Sequence, residues 1–159
     1  MSIRIAALLG LAIAAPQLVR ALNLVASCSI SATSVPFAIG DVSMTEMDAI
    51  GKFSGWQTGR LTSNGCAGVS TVTMRFAGTA ASEAGYTYLF QPTRSNAGVG
   101  IELEAVSVPA GRITPNATKV FSPAASGSGW DFRVRLVRKR NTYTPGAANA
   151  TITMTFTYA

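Results

Sequence analysis

The last twelve residues of the chain, 148–159, read ANATITMTFTYA. Every even-numbered position from 148 to 158 carries an alanine, an aliphatic or an aromatic residue, whereas the odd-numbered positions from 149 to 157 carry Asn or Thr. Because successive side chains of a β-strand point to opposite faces, this alternation predicts one strand with an apolar face and a polar face. Chain ends fray unless another element holds them. The strand must therefore be held by its own domain or by a strand of another protein.

The length and composition of the chain favour one β-rich domain. Its 159 residues are 48% hydrophobic, which is enough for a core and argues against disorder. No strong helical periodicity occurs after residue 25, and short alternating segments are separated by clusters of Gly, Pro and Ser. This pattern is typical of a β-sandwich.

Further strands are predicted along the chain from the same alternation. The clearest are residues 69–76, 99–106 and 130–137, and shorter ones are 25–32, 56–61, 86–90 and 119–121. The alternation also continues through residues 35–39, where Pro36 indicates an edge strand or a switch between sheets. Residues 62–65 are predicted to turn. The sequence thus predicts an all-β fold in a single domain over residues 22–159.

The segment 1–21 has the layout of an export signal. Arg4 precedes an apolar run that is shorter than the ~20 residues a membrane-spanning helix needs. Small residues at the end of the segment predict cleavage after Ala21, and a second suitable pattern would place the cut after Ala14. The competing interpretation is that residues 3–19 form a buried helix of the mature protein.

The sequence offers little for catalysis. The chain contains no His, which removes the Ser–His and Cys–His nucleophile systems, and it has no P-loop. Glu102 and Glu104 share one face of a predicted strand and could form a carboxylate pair, but a solvated strand face is the favoured interpretation. We therefore expect no enzyme activity, no metal and no cofactor.

Basic residues cluster in and after the strand 130–137. Arg133 and Arg135 share one face of it, and further basic residues follow at 138–140. One interpretation is a site for an anionic partner such as an acidic glycan or nucleic acid. The favoured one is the solvent face of a sheet, whose arginines prevent edge-to-edge aggregation. Loss of residues 1–21 would lower the net charge from +6 to +4, which is mild for a nucleic-acid binder, so no nucleic-acid partner is predicted.

Three segments between residue 72 and the C-terminus form a recognisable set. Residues 72–78 read VTMRFAG, and residues 96–103 read NAGVGIEL. Gly146 stands fourteenth from the C-terminus and Tyr158 is the penultimate residue. In this order, and with the alternating terminal strand, they resemble the strand-then-Gly segment, the GVGI-containing strand and the C-terminal motif of chaperone–usher fimbrial (pilus) subunits of the type 1 fimbrial protein-like family.

The two cysteines extend this resemblance. Cys66 follows Cys28 by 38 positions, which is the usual spacing of the disulfide-bonded cysteines of pilins. In an exported protein an even pair is expected to form a disulfide bond, and closing this loop would contribute ~3–4 kcal/mol. A metal site would need more ligands, and a reactive thiol is the other alternative. The resemblance covers nearly all of the chain from Cys28 onward.

The resemblance implies an incomplete immunoglobulin-like β-sandwich that lacks its final strand. In this family a periplasmic pilus chaperone lends a strand to the exposed groove, and the N-terminal extension of another pilin subunit later replaces it at the outer-membrane usher. Such donor-strand complementation is a recognised case of β-augmentation. One wall of the groove would be the first strand, near residues 25–30. The other wall would be the apolar face of the terminal strand: Ala148, Ala150, Ile152, Met154, Phe156 and Tyr158.

The segment before Cys28 departs from the family pattern. Polymerising pilins carry a donor extension of a dozen or more residues there, with a Gly where this chain has Ala21. Cleavage after Ala21 would leave six residues before Cys28, too few to fill a groove, whereas cleavage after Ala14 would leave thirteen. The sequence therefore leaves open a shaft role and a tip or minor-subunit role.

The resemblance predicts a structural subunit of a bacterial surface fimbria, exported through the periplasm to the cell surface and supporting cell adhesion. The alternative is a minor or tip adhesin subunit that binds a host glycan or an anionic surface through Trp130, Tyr86, Tyr88 or the arginines. Adhesins of this family add a separate lectin domain, for which 159 residues leave no room. A self-sufficient secreted β-sandwich enzyme is the third hypothesis, which the missing His disfavours.

Overall fold

A computed structural model describes residues 25–30, 35, 37, 39, 42–43, 45–93, 98–144 and 148–159 of the chain. These residues contain eight β-strands and no helix, so none of their elements could cross a membrane as a helix. The strands are β1 (Ser27–Ile30), β2 (Gln57–Ala67), β3 (Val72–Ala77), β4 (Val99–Ala105), β5 (Gly111–Ile113), β6 (Thr118–Phe121), β7 (Gly129–Arg138) and β8 (Thr153–Tyr158). The predicted all-β class is confirmed.

The strands form two antiparallel sheets. One has five strands in the order β1-β2-β7-β4-β5, and the other has three in the order β6-β3-β8. Consecutive strands often lie in different sheets, as in the Greek-key connections of immunoglobulin-like sandwiches. Among the described residues, β1 and β8 each have a strand neighbour on one side only, so both are edge strands.

The core lies between the facing sides of the two sheets. Along β7 the inward side chains are buried and the outward ones are partly exposed, as the alternation predicts. Phe132 of β7 makes edge-on contacts with Phe76 and Phe121, with ring centroids 5.7 and 6.0 Å away. Trp130 is 2% exposed and donates its indole N–H to the carbonyl of Ser122. The prediction that Trp130 could stack against a glycan is therefore wrong, because its ring belongs to the core.

Two other sequence predictions fail for tertiary reasons. Residues 62–65, predicted to turn, are part of β2, which extends to Ala67 because β1 pairs with this half of it. Residues 86–90 are not a strand but a series of turns that ends in isolated bridges from Phe90 to Ala80 and to Ile101. Leu89 is instead buried against Gly100, where an added Cβ would lie only 2.7 Å from the leucine side chain.

The predicted disulfide bond fastens β1 to β2. Cys28 lies directly opposite Cys66 in the β1–β2 register, and their sulfur atoms are 2.04 Å apart. β1 has only four residues, all exposed or half-buried, so its own packing holds it weakly. A covalent bond at this position keeps the edge strand against the sheet.

The loop between β3 and β4 is held by a buried ionic cluster. The Lys139 ammonium, whose side chain is fully buried, donates hydrogen bonds of 2.7 Å to Glu83 and 3.0 Å to Gln91. Arg140 donates to the other carboxylate oxygen of Glu83. Farther along this loop, Thr93 N–H donates to the carbonyl of Asn149 at 2.7 Å. The cluster thus positions the loop that contacts the start of the terminal segment.

Acid should weaken this cluster. Burial alone would raise the pKa of Glu83, but hydrogen bonds from Lys139 and Arg140 outweigh burial and hold its pKa below the ordinary value. The stabilisation is therefore fully present above the unfolded-state pKa of ~4.3 and is lost as the pH falls through the folded-state value.

We predict that Glu83→Gln lowers the free energy of unfolding by about 1–3 kcal/mol at pH 7, since it removes a charged hydrogen-bond partner of a buried lysine. Its stability should then change less than that of the wild type between pH 7 and pH 3. Urea unfolding at a series of pH values measures both effects. Glu46→Gln is the matched control, because Glu46 is exposed. Parallel pH profiles for the wild type and Glu83→Gln would contradict this account.

Candidate functional site

An apolar groove runs along the inner side of the terminal strand. From residue 148 to residue 158 the apolar side chains are half-buried, and the alternating Asn and Thr side chains are exposed. The register of β8 against β3 sets this orientation, with Met154 opposite Phe76 and Phe156 opposite Met74. The apolar face predicted from the sequence therefore faces the core.

The groove is closed on its other side by the segment that contains and follows β1. Its volume is about 650 Å³. The floor is formed by core side chains of both sheets: Leu61, Phe76, Ile101, Leu103, Phe132 and Val134. The wall opposite the terminal strand is formed by Ile30, Val35, Phe37 and Ile39. No titratable side chain lies among the described residues that line the groove. The interaction that the groove offers to a ligand is therefore the burial of apolar surface.

The backbone of β8 presents hydrogen-bonding groups at the groove edge. Ala159 and Thr71 exchange both backbone hydrogen bonds, at 3.1 and 2.9 Å. Directly opposed pairs of an antiparallel ladder alternate between bonded and non-bonded. The β3–β8 register therefore directs the N–H and C=O groups of Met154, Phe156 and Tyr158 away from β3. On that side no strand pairs with β8 within the part of the chain that the structure describes.

A glycine of β2 makes room for the wall opposite the terminal strand. Gly59 of β2 lies beneath Val35 and Phe37. A Cβ at this position would be 2.7 Å from Phe37 Cε1 and 2.7 Å from Val35 Cγ1, closer than real contacts allow. Because Gly59 has no side chain, Val35 and Phe37 can pack directly against the backbone of β2. This close packing keeps the groove open above them.

The structure brings most of the predicted groove residues together. Those that line the groove are Ala148, Ala150, Ile152, Met154 and Phe156. Tyr158 is half-buried against the core but lies beyond the groove lining, opposite Val72. Gly146 lies outside the described residues. Whether these residues contact a donor strand or a chaperone stays a prediction.

The sequence predicts the residues of the wall opposite the terminal strand less well. Of the segment 25–30, only Ile30 lines the groove. The other wall residues, Val35, Phe37 and Ile39, were recognised as alternating but were not assigned to the groove. Their alternation is the available signal, and only the tertiary structure shows that Val35 and Phe37 lie over Gly59 of β2.

The two strand carboxylates of β4 are paired with arginines. Glu102 accepts hydrogen bonds from Arg112 and Arg135 at 2.8 and 2.6 Å, and Glu104 accepts from Arg133 at 2.6 Å. The Glu102 side chain is only 1% exposed, so the expectation of a solvated strand face is wrong for this residue. Arginine side chains cover its carboxylate.

Sequence comparison identifies the family of the chain. The sequence model of the family described as "Fimbrial protein" matches residues 18–159. No curated protein sequence matches the chain.

The chain shares its fold with solved structures that include two pilus proteins and a tip adhesin. The P pilus rod subunit PapA is 16% identical, with a TM-score of 0.66 over 83% of this chain and 99% of that one. A second match is a chaperone–usher pilus, whose structure reveals the molecular basis of rod uncoiling. It is 15% identical, with a TM-score of 0.61, and the match covers 93% of this chain and 100% of that one. The CupB6 tip adhesin from Pseudomonas aeruginosa is 14% identical, with a TM-score of 0.62, and the match covers 74% of this chain but 34% of the adhesin.

The structural likenesses establish the fold, which is that of pilus subunits with an immunoglobulin-like sandwich. The family match extends over nearly the whole chain, including both cysteines and the terminal strand. The resemblance to fimbrial subunits read from the sequence is confirmed, and the chain belongs to the fimbrial protein family.

Proposed function

We propose that the chain is a structural subunit of a surface fimbria and is completed by a strand that another protein inserts beside β8. The observation that carries the proposal is the groove itself. It combines an apolar interior of about 650 Å³ with an edge of β8 that no described strand pairs. An inserted strand would satisfy both features at once, because its side chains fill the interior and its backbone pairs with the edge.

The two features of the groove are costly in water. Exposed strand edges template pairing with other chains, and apolar surface gains about 25 cal/mol for each Å² that is buried. Along residues 148–158 the groove has room for an extended strand of about ten residues, since a strand rises ~3.3 Å per residue. A donor with apolar side chains at alternate positions fits this geometry.

The partners follow from the order of assembly in the family. A periplasmic pilus chaperone supplies the first strand, and another pilin subunit replaces it at the outer-membrane usher. Residues 1–21 serve as the export signal, with cleavage after Ala14 as the alternative that retains a donor extension. The product is a fimbrium at the cell surface that supports adhesion and has a mechanical role rather than a catalytic one.

A tip or minor-subunit role is the second candidate. The fold likeness to part of a tip adhesin is compatible with it. Burial of Trp130 removes one of the residues that this role was expected to use, whereas Tyr86 and Tyr88 remain half-buried at the surface. We favour the shaft role because the match to the rod subunit PapA extends over 99% of that chain.

We predict that Phe156→Asp abolishes capture by the cognate chaperone. The substitution would place a charge in the apolar groove, at a cost of several kcal/mol. Co-purification of the exported variant with the chaperone from the periplasm measures the effect. Thr155→Lys is the matched control, since the neighbouring side chain is exposed and should leave capture unchanged. Equal capture of the two variants would show that this strand is not the recognition element.

The groove should also select the order of side chains in its donor. Along the terminal-segment wall of the groove, the lining side chains become smaller from Phe156 through Met154 and Ile152 to Ala150 and Ala148. A bulky donor side chain therefore fits near Ala150 and a small one near Phe156, whereas the reverse order overpacks one end and leaves a void at the other.

Two donor peptides of identical composition and opposite order test this selection. The peptide with its largest apolar residue aligned with Ala150 should bind about tenfold more tightly or better, and it should raise the melting temperature of residues 22–159 more. Isothermal calorimetry and thermal unfolding measure the difference. Equal affinities would refute a size-selective groove, and a high melting temperature without gain from either peptide would indicate a complete sandwich.

The close approach of Phe37 and Val35 to Gly59 predicts a second effect. In Gly59→Ala the new methyl group would displace Phe37 and Val35 toward the space of the donor strand. We expect the affinity for a donor peptide to fall about tenfold, in line with the cost of overpacking. Gly55→Ala is the control, because an added Cβ there would meet no atom within 4 Å. Unchanged binding by Gly59→Ala would mean that the wall can move without narrowing the groove.

A further inference from the structure

The outer face of the five-stranded sheet carries a cluster of stacked rings and guanidinium groups. Arg135 of β7 lies 3.7 Å from the ring centroid of Phe53 and 4.2 Å from that of Trp56. Arg133 lies 4.4 Å from the same Trp56 ring, and Arg112 of β5 lies 4.0 Å from the ring of Tyr88. We call this surface the aromatic–arginine face: Phe53, Trp56, Tyr88, Arg112, Arg133 and Arg135.

On this face the arginine side chains are more exposed to solvent than the carboxylates with which they pair. The Arg112 and Arg133 side chains are 48% and 40% exposed, whereas their partners Glu102 and Glu104 are 1% and 19% exposed. At one side of the face, Arg60 is 55% exposed and its partner Asp131 is 34% exposed. The carboxylates thus lie beneath the guanidinium groups, and the accessible surface is more positive than the count of charges indicates.

The face is also held rigid. Arg133 donates two hydrogen bonds to Glu104, which leaves the rest of its five N–H donors for another acceptor. Arg135 is fixed by Glu102 on one side and by two rings on the other. Phe53 remains 52% exposed although its ring contacts Arg135. Groups fixed in this way lose little conformational entropy when a ligand binds.

We propose that the aromatic–arginine face binds an acidic polysaccharide. The exposed ring of Phe53 and the partly exposed rings of Trp56 and Tyr88 offer apolar surface for the C–H face of a sugar ring. The neighbouring guanidinium groups match the carboxylate of a uronic acid, since a guanidinium can donate two parallel hydrogen bonds to one carboxylate. The face lies on the outside of the sheet, away from the groove, so this ligand and a donor strand bind to different surfaces.

Charge excludes a second copy of the chain as the occupant. Each copy carries a net charge of +6 before any processing, and two copies meeting through this face would oppose exposed guanidinium groups to one another. A neutral polysaccharide would use the rings but would offer no anionic acceptor to the guanidinium N–H donors that Glu102 and Glu104 leave free. An acidic polymer satisfies both kinds of group.

The test measures binding of fluorescent polygalacturonate oligomers to the exported protein as purified from the periplasm, with dextran oligomers of equal length as the neutral probe. Binding to polygalacturonate should exceed binding to dextran and should weaken with added salt. The double variant Phe53→Ala/Trp56→Ala and the single variant Arg112→Gln should each lower affinity for polygalacturonate about tenfold.

Two control variants distinguish binding at this face from general electrostatic attraction to a positively charged protein. Val120→Ala removes an exposed apolar side chain of β6, and Arg75→Gln removes an exposed arginine of β3, both on the other sheet. Both should bind like the wild type. Donor-peptide binding to every variant reports folding and tests the groove independently of this face.

The expected losses in both face variants, with unchanged controls and unchanged donor-peptide binding, would support the proposal. Absence of polygalacturonate binding at low salt, or equal binding of dextran, would overturn it. An equal loss in Arg75→Gln and Arg112→Gln would also overturn it, because binding would then follow net charge. Should the double ring variant fail to fold, the contrast between Arg112→Gln and Arg75→Gln decides the question.

Discussion

The structure depends on an edge strand that is packed on one face and unpaired along one side. The apolar side chains of β8 lie against the core, and its threonine positions pair with β3. Its other backbone groups point toward a groove that no described strand fills. Because unsatisfied backbone groups and exposed apolar surface are both costly in water, this arrangement favours an added strand. The proposed assembly role rests on that physical requirement.

The groove needs two walls that keep their positions while it is empty. The disulfide bond holds β1 to β2 at Cys28 and Cys66, and β1 leads into the wall that includes Phe37. On the other side, the cluster of Glu83, Lys139 and Arg140 secures the loop that contacts residue 149. A covalent bond and a buried ionic cluster therefore act on opposite walls. Neither lies in the groove, so both can support it without obstructing a donor strand.

The two faces of the five-stranded sheet divide the chemistry of the molecule. The inner face contributes Leu103, Phe132 and Val134 to the groove floor. The outer face of the same strands carries the arginines and glutamates of the aromatic–arginine face. Strand alternation makes this separation possible, since neighbouring residues of one strand serve opposite surfaces. A subunit built in this way can use one surface for assembly and present the other to its surroundings.

Much of this could be predicted from local pattern. The alternation of residues 148–158 predicted one strand with a buried face. The face is observed along the whole segment, but the strand itself, β8, covers only Thr153–Tyr158. The cysteine pair indicated the disulfide bond, because side-chain direction and cysteine pairing can be recognised in a sequence. Three features could not be predicted from the local sequence. They are the contacts of Phe53 and Trp56 with Arg135, the space above Gly59 and the burial of Glu102. These features arise where segments distant in the chain meet. The sequence alone determined which side chains share a face, because the period of a strand is local. Only the tertiary structure decided what each face meets, because strand order and register join residues far apart in the chain.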